Sequence, residues 1–174
     1  MDYGAITIDT SIFDEKGLGL EFGILKTLEQ FNGRPSHLVL SEIVVREVHS
    51  HLRKKAADAR EQVLKALRES KKHLSVSEDD ASAAKEALVP EVDDGEVAKQ
   101  RLKAFVTATG AEIIPAAGKV DLRQIIGRYF QAEPPVAASG NKKNEFPDAI
   151  ALLSLESWAK ENDCYERIDR NSEW

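Results

Sequence analysis

Apolar positions along this chain follow two rhythms. Short β-favouring runs, Ala5-Ile6-Thr7-Ile8, His37-Leu38-Val39-Leu40 and Glu112-Ile113-Ile114-Pro115, read as strands. Between them apolar residues recur at helical spacing. Phe22, Leu25, Leu28 and Phe31 form one such set, with Asn32-Gly33 as its stop. Ser41 suits a helix N-cap, and Ile43, Val44, Val48 and Leu52 follow it. From Arg53 to about Ser70 the pattern stays helical but highly charged. Glu78-Asp79-Asp80 and the stretch from Glu91 to Glu96 read as acidic turns around a weak Ala-rich segment. Val97 to Thr107 predicts a helix stopped by Gly110, and Val120 to Phe130 one with Leu122, Ile125, Ile126 and Tyr129 on its apolar face. Pro134 to Gly140 is a loop, and Asp148 to Lys160 is the last helix, with Ala149, Leu152, Leu153 and Leu155 apolar. Strands alternating with helices predict an α/β fold with a parallel sheet. No strand signal falls between about 53 and 109, which therefore reads as a helical insertion in a single domain spanning 1–174.

Three acids stand where acids are costly. Asp9 follows the first strand directly, and in open parallel sheets ligands bind beyond the carboxyl ends of strands. The plainer alternative is an Asp that caps the next turn. Glu47 lies four residues after Ile43 and three after Val44, on the face expected to meet the core. A carboxylate there needs a cation, a hydrogen-bond network or a metal; otherwise it forms a salt bridge or tilts to solvent. Asp148 opens the last helix after Pro147, a position that also suits the helix dipole. Gathered together, the three offer the oxygen ligands that a hard cation such as Mg²⁺ or Mn²⁺ takes, and such an ion activates water and stabilises charge on a phosphodiester. His49 and His51 are two apart and cannot form a zinc pair on one helix face; they and His37 and His73 read as structural or solvated.

Composition narrows the classes. With 174 residues, 42% of them hydrophobic and 31% charged, the chain suits one globular domain. No apolar run approaches the roughly 20 residues of a membrane span, and the N-terminus lacks a secretory pattern. Cys164 is the single cysteine, which leaves no disulfide framework and points to a reducing, cytoplasmic setting. The net charge of −6 disfavours nonspecific nucleic-acid binding, although carboxylates at a metal site account for part of it. The glycines near Gly17 and Gly19 match no phosphate-binding fingerprint.

The segments Ile6-Thr7-Ile8-Asp9-Thr10-Ser11, Ser41-Glu42-Ile43-Val44-Val45-Arg46-Glu47-Val48 and Lys142-Lys143-Asn144-Glu145-Phe146-Pro147-Asp148-Ala149 resemble the successive acidic motifs of PIN-domain ribonucleases, in the branch of toxin and defence effectors that carries a helical insertion. The resemblance spans about residues 5 to 160. It implies a three-layer α/β/α sandwich with a central parallel sheet, and RNA cleavage with Mg²⁺ or Mn²⁺. By position Asp9, Glu47 and Asp148 match the metal-binding acids, and Ser11 matches the small polar residue that supports the first of them. Lys142 and Lys143 are candidates for RNA contact, with a solvated loop as the plainer alternative. The family pattern adds a strand after the last helix that ends in a fourth Asp. The chain ends at Trp174, so that strand is expected to be incomplete, with Asp169, Asp163 or Asn171 standing near the fourth position.

Two functions from different classes follow. One is a metal-dependent endoribonuclease with an RNA substrate, an antitoxin or other protein partner, and a homodimeric state, all implied by the resemblance. The other is a catalytically weak PIN-like module that binds RNA or protein. A haloacid-dehalogenase phosphatase would need a second Asp at the position that Ser11 holds, and the paired acids of a receiver domain are not seen.

Overall fold

A computed structural model of the chain describes residues 4–89, 91–136 and 145–162. Three parallel strands, β1 (Ala5–Ile6), β2 (His37–Ser41) and β3 (Glu112–Ile114), lie in the order β1-β2-β3. Ala5 pairs with His37 and Ile6 with Leu38, while Val39, Leu40 and Ser41 pair with Glu112, Ile113 and Ile114. The helices are α1 (Thr10–Glu15), α2 (Gly23–Thr27) continued by a 3-10 turn over Leu28–Phe31, α3 (Glu42–His73), α4 (Glu78–Leu88), α5 (Asp94–Thr109), α6 (Leu122–Gln131) and α7 (Phe146–Glu161).

Alternation along β2 sends its side chains into two layers. Leu38 and Leu40 join Phe13 of α1, Val44, Val48 and Leu52 of α3, and Ala98, Leu102 and Phe105 of α5 in the main core. Phe13 and Phe105 meet edge-on there, with ring centroids 5.7 Å apart. Val39 points the other way and packs with Ile114 and Trp158 of α7. The result is the expected α/β/α sandwich.

Helix boundaries follow local chemistry. The Ser41 hydroxyl caps α3 by accepting from the Ile43 amide at 3.2 Å. Only Val44, Val48 and Leu52 of α3 are buried, an i, i+4, i+8 stripe in its first three turns. The helix then continues unbroken to His73, so Arg53 marks no boundary, and α5, the last helix of the expected insertion, contributes Ala98, Leu102 and Phe105 to the main core. Residues 78–80, expected as a turn, form the first turn of α4: the Ser77 hydroxyl accepts from the Asp80 amide at 3.1 Å, and three acids complement the helix dipole. Helix α5 ends on Gly110, whose φ of 65° lies in the left-handed region.

The sequence pattern also places Leu122 and Ile126 inside, but they are 65% and 45% exposed, and Ile125 alone of α6 is buried. Among the described residues, no helix is long and apolar enough to cross a membrane.

Candidate active site

The site is assembled at the carboxyl end of the sheet by three helix starts. Three residues after β1 comes Asp9, itself extended, which acts as the N-cap of α1. The sequence pattern does not predict α1; its cap is what organises it. Asp9 Oδ2 accepts from the Ser11 hydroxyl at 2.6 Å and from the Ser11 amide at 3.0 Å. Burial raises the Asp9 carboxyl pKa, but the hydrogen bonds from Ser11 and from the Thr10 amide outweigh it, and the net shift is downward. Asp9 is therefore held as a carboxylate, as both the capping alternative and a ligand role require.

Thr10 carries the next link. Its side chain is buried, and its hydroxyl donates to Glu47 Oε2 at 2.7 Å. Glu47 sits in the second turn of α3, half-buried, and its recorded partner is a neutral hydroxyl rather than a basic side chain. One turn farther along, His51 Nδ1 lies 3.0 Å from Asp14 Oδ1, so α1 and α3 are joined by two successive rungs, Thr10–Glu47 and Asp14–His51. His49 bonds the Gly95 carbonyl at 3.2 Å, a structural contact.

Helix α7 supplies the third acid. Its Ser154 and the β2 residue Ser41 are both fully buried, their hydroxyl oxygens 3.3 Å apart. Ala149, also fully buried, seats the start of α7 against the rest of the fold, with Asp148 beside it. Burial raises the Asp148 pKa, and the charges of Asp9, Glu47 and Glu145 raise it further. Asp148 thus feels the charges of the other two acids. None of the three has a Lys or Arg ion-pair partner among the described residues.

The donor set fits a hard cation by its chemistry: carboxylate oxygens, two of the carboxylates charging the neighbourhood of Asp148, and no Lys or Arg ion-pair partner among the described residues. Among the described residues, however, no three His, Cys, Asp or Glu side chains stand as a group that could hold a metal ion. Lys142, Lys143 and Asp169, with Asp163 and Asn171, lie outside the described residues. Sequence reasoning passed over Thr10 and Ser154. The only signal for either was a small hydroxyl residue beside a motif acid or within an apolar helix face.

A parallel sheet between helical layers, with acids at its carboxyl end, is an α/β frame that proteins of several activities share. The family model described as PIN domain matches residues 6–168, nearly the whole chain, and the chain belongs to the PIN-domain family, whose members are in general nucleases that typically use divalent metals. No curated protein and no solved structure matches it.

Proposed function

We propose that the chain is an endoribonuclease that cleaves RNA phosphodiester bonds at Asp9, Glu47 and Asp148 with Mg²⁺ or Mn²⁺ as cofactor, acting as a toxin or defence effector. The observation that carries this reading is electrostatic. The charges of Asp9 and Glu47 bear on Asp148 and, with its burial, raise its pKa, and none of the three has a Lys or Arg ion-pair partner among the described residues. A cation is the economical partner for such a set.

Within the reading each residue has a task. Ser11 holds Asp9 through Oδ2, and Thr10 holds Glu47 through Oε2. Each carboxylate keeps further lone pairs for a ligand. Asp148 completes the set from the opposite helix. A bound divalent cation would supply Lewis-acid polarisation of the phosphodiester and a more acidic water. Lys142 and Lys143 are the proposed contacts for the RNA backbone.

The test is cleavage of end-labelled single-stranded RNA with Mn²⁺, with single-stranded DNA of the same sequence alongside, by the parent chain and by Asp9→Asn. Expected is metal-dependent cutting of RNA that EDTA abolishes and the variant lacks. A folded parent that cuts neither strand overturns the reading. It would favour a PIN-fold module that binds RNA or a protein without cleaving it.

A further inference from the structure

A second feature lies on the α3/α5 face of the sheet and owes nothing to the acids. An open groove of about 420 Å³ runs between α3 and α5 and reaches β3. Its floor is aliphatic: Val45 of α3, Leu102 and Val106 of α5, and Ile113 of β3. Ile113 is 41% exposed, although its neighbours Glu112 and Ile114 belong to a strand of the sheet. Its side chain is turned toward the layer that holds Leu40, with which it is paired, and no side chain covers it fully.

The rim has one sign. Arg46, Lys99 and Lys103 line the groove, and none of its lining residues is acidic. This is unusual on a chain of net charge −6. The rim cations are only lightly engaged. Arg46, 76% exposed along its side chain, lies 3.2 Å from Glu42, and Lys99 makes a 3.5 Å exposed pair with Glu96. Such surface pairs hold a side chain weakly. Lys103 has no ion-pair partner among the described residues. Lys99 and Lys103 are four apart, one above the other along one edge of the groove.

We propose that this groove docks a segment of a partner protein in which aliphatic or aromatic side chains are flanked by Asp and Glu. The apolar floor takes the anchors, and Arg46, Lys99 and Lys103 meet the carboxylates. Charge complementarity selects the partner: the basic rim favours an acidic segment, and a second copy docked symmetrically would bring its own basic rim against this one. The floor selects protein over nucleic acid. Single-stranded RNA is held by aromatic platforms on which bases stack; His49 is the one ring that lines the groove, tied to the Gly95 carbonyl, and Val45, Leu102, Val106 and Ile113 provide none. An open groove with an aliphatic floor is the form in which short peptide segments are bound.

The experiment is selection of a displayed random 16-residue peptide library on the full chain, followed by fluorescence anisotropy of the most enriched peptides. Expected winners combine Leu, Ile or Phe with Asp or Glu. Their affinity should fall at least tenfold in Lys103→Glu and in Lys99→Glu, persist in Lys103→Arg, and weaken with added salt. Both lysines are exposed, so the charge reversals should melt like the parent, and a melting curve checks this. Enrichment of no peptide, winners without acidic residues, or affinities unchanged in both reversals would each overturn the proposal. So would displacement of the peptides by a labelled single-stranded RNA, which would assign the groove to nucleic acid instead. None of these outcomes depends on whether the acids cleave RNA.

Discussion

The hydroxyl of Thr10 donates to Glu47 Oε2 at 2.7 Å, and through this bond the residue beside one motif acid grips another motif acid 37 positions along the chain. Asp9 and Glu47 are thereby fixed relative to each other by a side chain that belongs to neither. In Thr10→Val the shape stays and the donor goes. Expected is a loss of about 1 kcal/mol in stability and, if the acids cleave RNA, an activity lowered about 10- to 100-fold. Thr10→Ser should restore most of both. Equilibrium unfolding and RNA cleavage rates check this; equal activity in the Val variant would remove Thr10 from any positioning role.

Asp148 gives a pH-dependent prediction. Its folded pKa is raised by burial and by the charges of Asp9, Glu47 and Glu145. A carboxyl with a raised folded pKa contributes stability that is present below the ordinary carboxylate pKa and lost as pH rises through the folded value. At neutral pH without divalent cations, Asp148→Asn should therefore melt above the parent. The difference should shrink as pH falls toward 4 and below, where the parent carboxyl is protonated in both states (about 3.9 unfolded). A variant that melts with the parent at every pH would mean the three acids are effectively screened from one another.

Cation binding should reverse that order. If Asp9, Glu47 and Asp148 share an ion, Mn²⁺ at about one hundred times its Kd adds about 2.7 kcal/mol to the parent. That corresponds to a rise of about 5–10 °C in Tm for a domain of this size. Asp9→Asn, Glu47→Gln and Asp148→Asn should each lose most of the rise, and EDTA should return the parent to its starting value. A rise that persists in all three variants would place the ion elsewhere.

Gly110 carries the end of α5. Its φ is 65°, and a Cβ there would come within 2.9 Å of Asn32 Oδ1. Asn32 in turn donates through Nδ2 to the Ala108 carbonyl at 3.0 Å, satisfying a helix-end acceptor. Gly110→Ala meets both a backbone penalty and a displaced cap, and is expected to cost about 1–3 kcal/mol. Asn32→Ala should cost about 1 kcal/mol. Chemical denaturation distinguishes the two, and an undiminished Gly110→Ala would show that the turn re-forms without strain.

Leu52 has no exposed surface and closes the buried stripe of α3. Leu52→Ala is expected to destabilise by about 2–5 kcal/mol, measured by urea unfolding, with cap contacts at Ser41 unaffected.

What the sequence disclosed follows from how local each signal is. The strands at Ala5, His37 and Glu112 and the caps at Ser41 and Gly110 depend on neighbouring residues, and their patterns were readable. So was the layered architecture, because hydrophobic period sets which face is buried. Leu122 and Ile126 failed for the same reason: period predicts a face, but only the neighbouring layer decides whether that face is covered. Helix α1 was missed because six residues, capped by an acid already marked for another role, carry little periodic signal. The Thr10–Glu47 and Ser41–Ser154 contacts join positions far apart in the chain, and nothing in a single sequence links them. Asp9, Glu47 and Asp148 could be singled out as acids in costly places, but the effect of the first two on Asp148 became visible only once α1, α3 and α7 were set side by side.

Helix α3 has one more implication. It is about 48 Å long at 1.5 Å per residue, yet its interior anchors lie in the first eleven residues, Glu42 to Leu52. Arg60 ties the middle of the helix to Asp94 and to the Val92 carbonyl, and beyond it the helix runs on as a cantilever, with α4 folded back along it and Lys71 paired with Glu78 at the tip. A beam clamped at one end can change length at the other. Whole turns could be added or removed in step around His73 and Ser77 while Glu47, near the clamp, keeps its place, so tip length is a property that evolution or an engineer can vary independently of the chemistry.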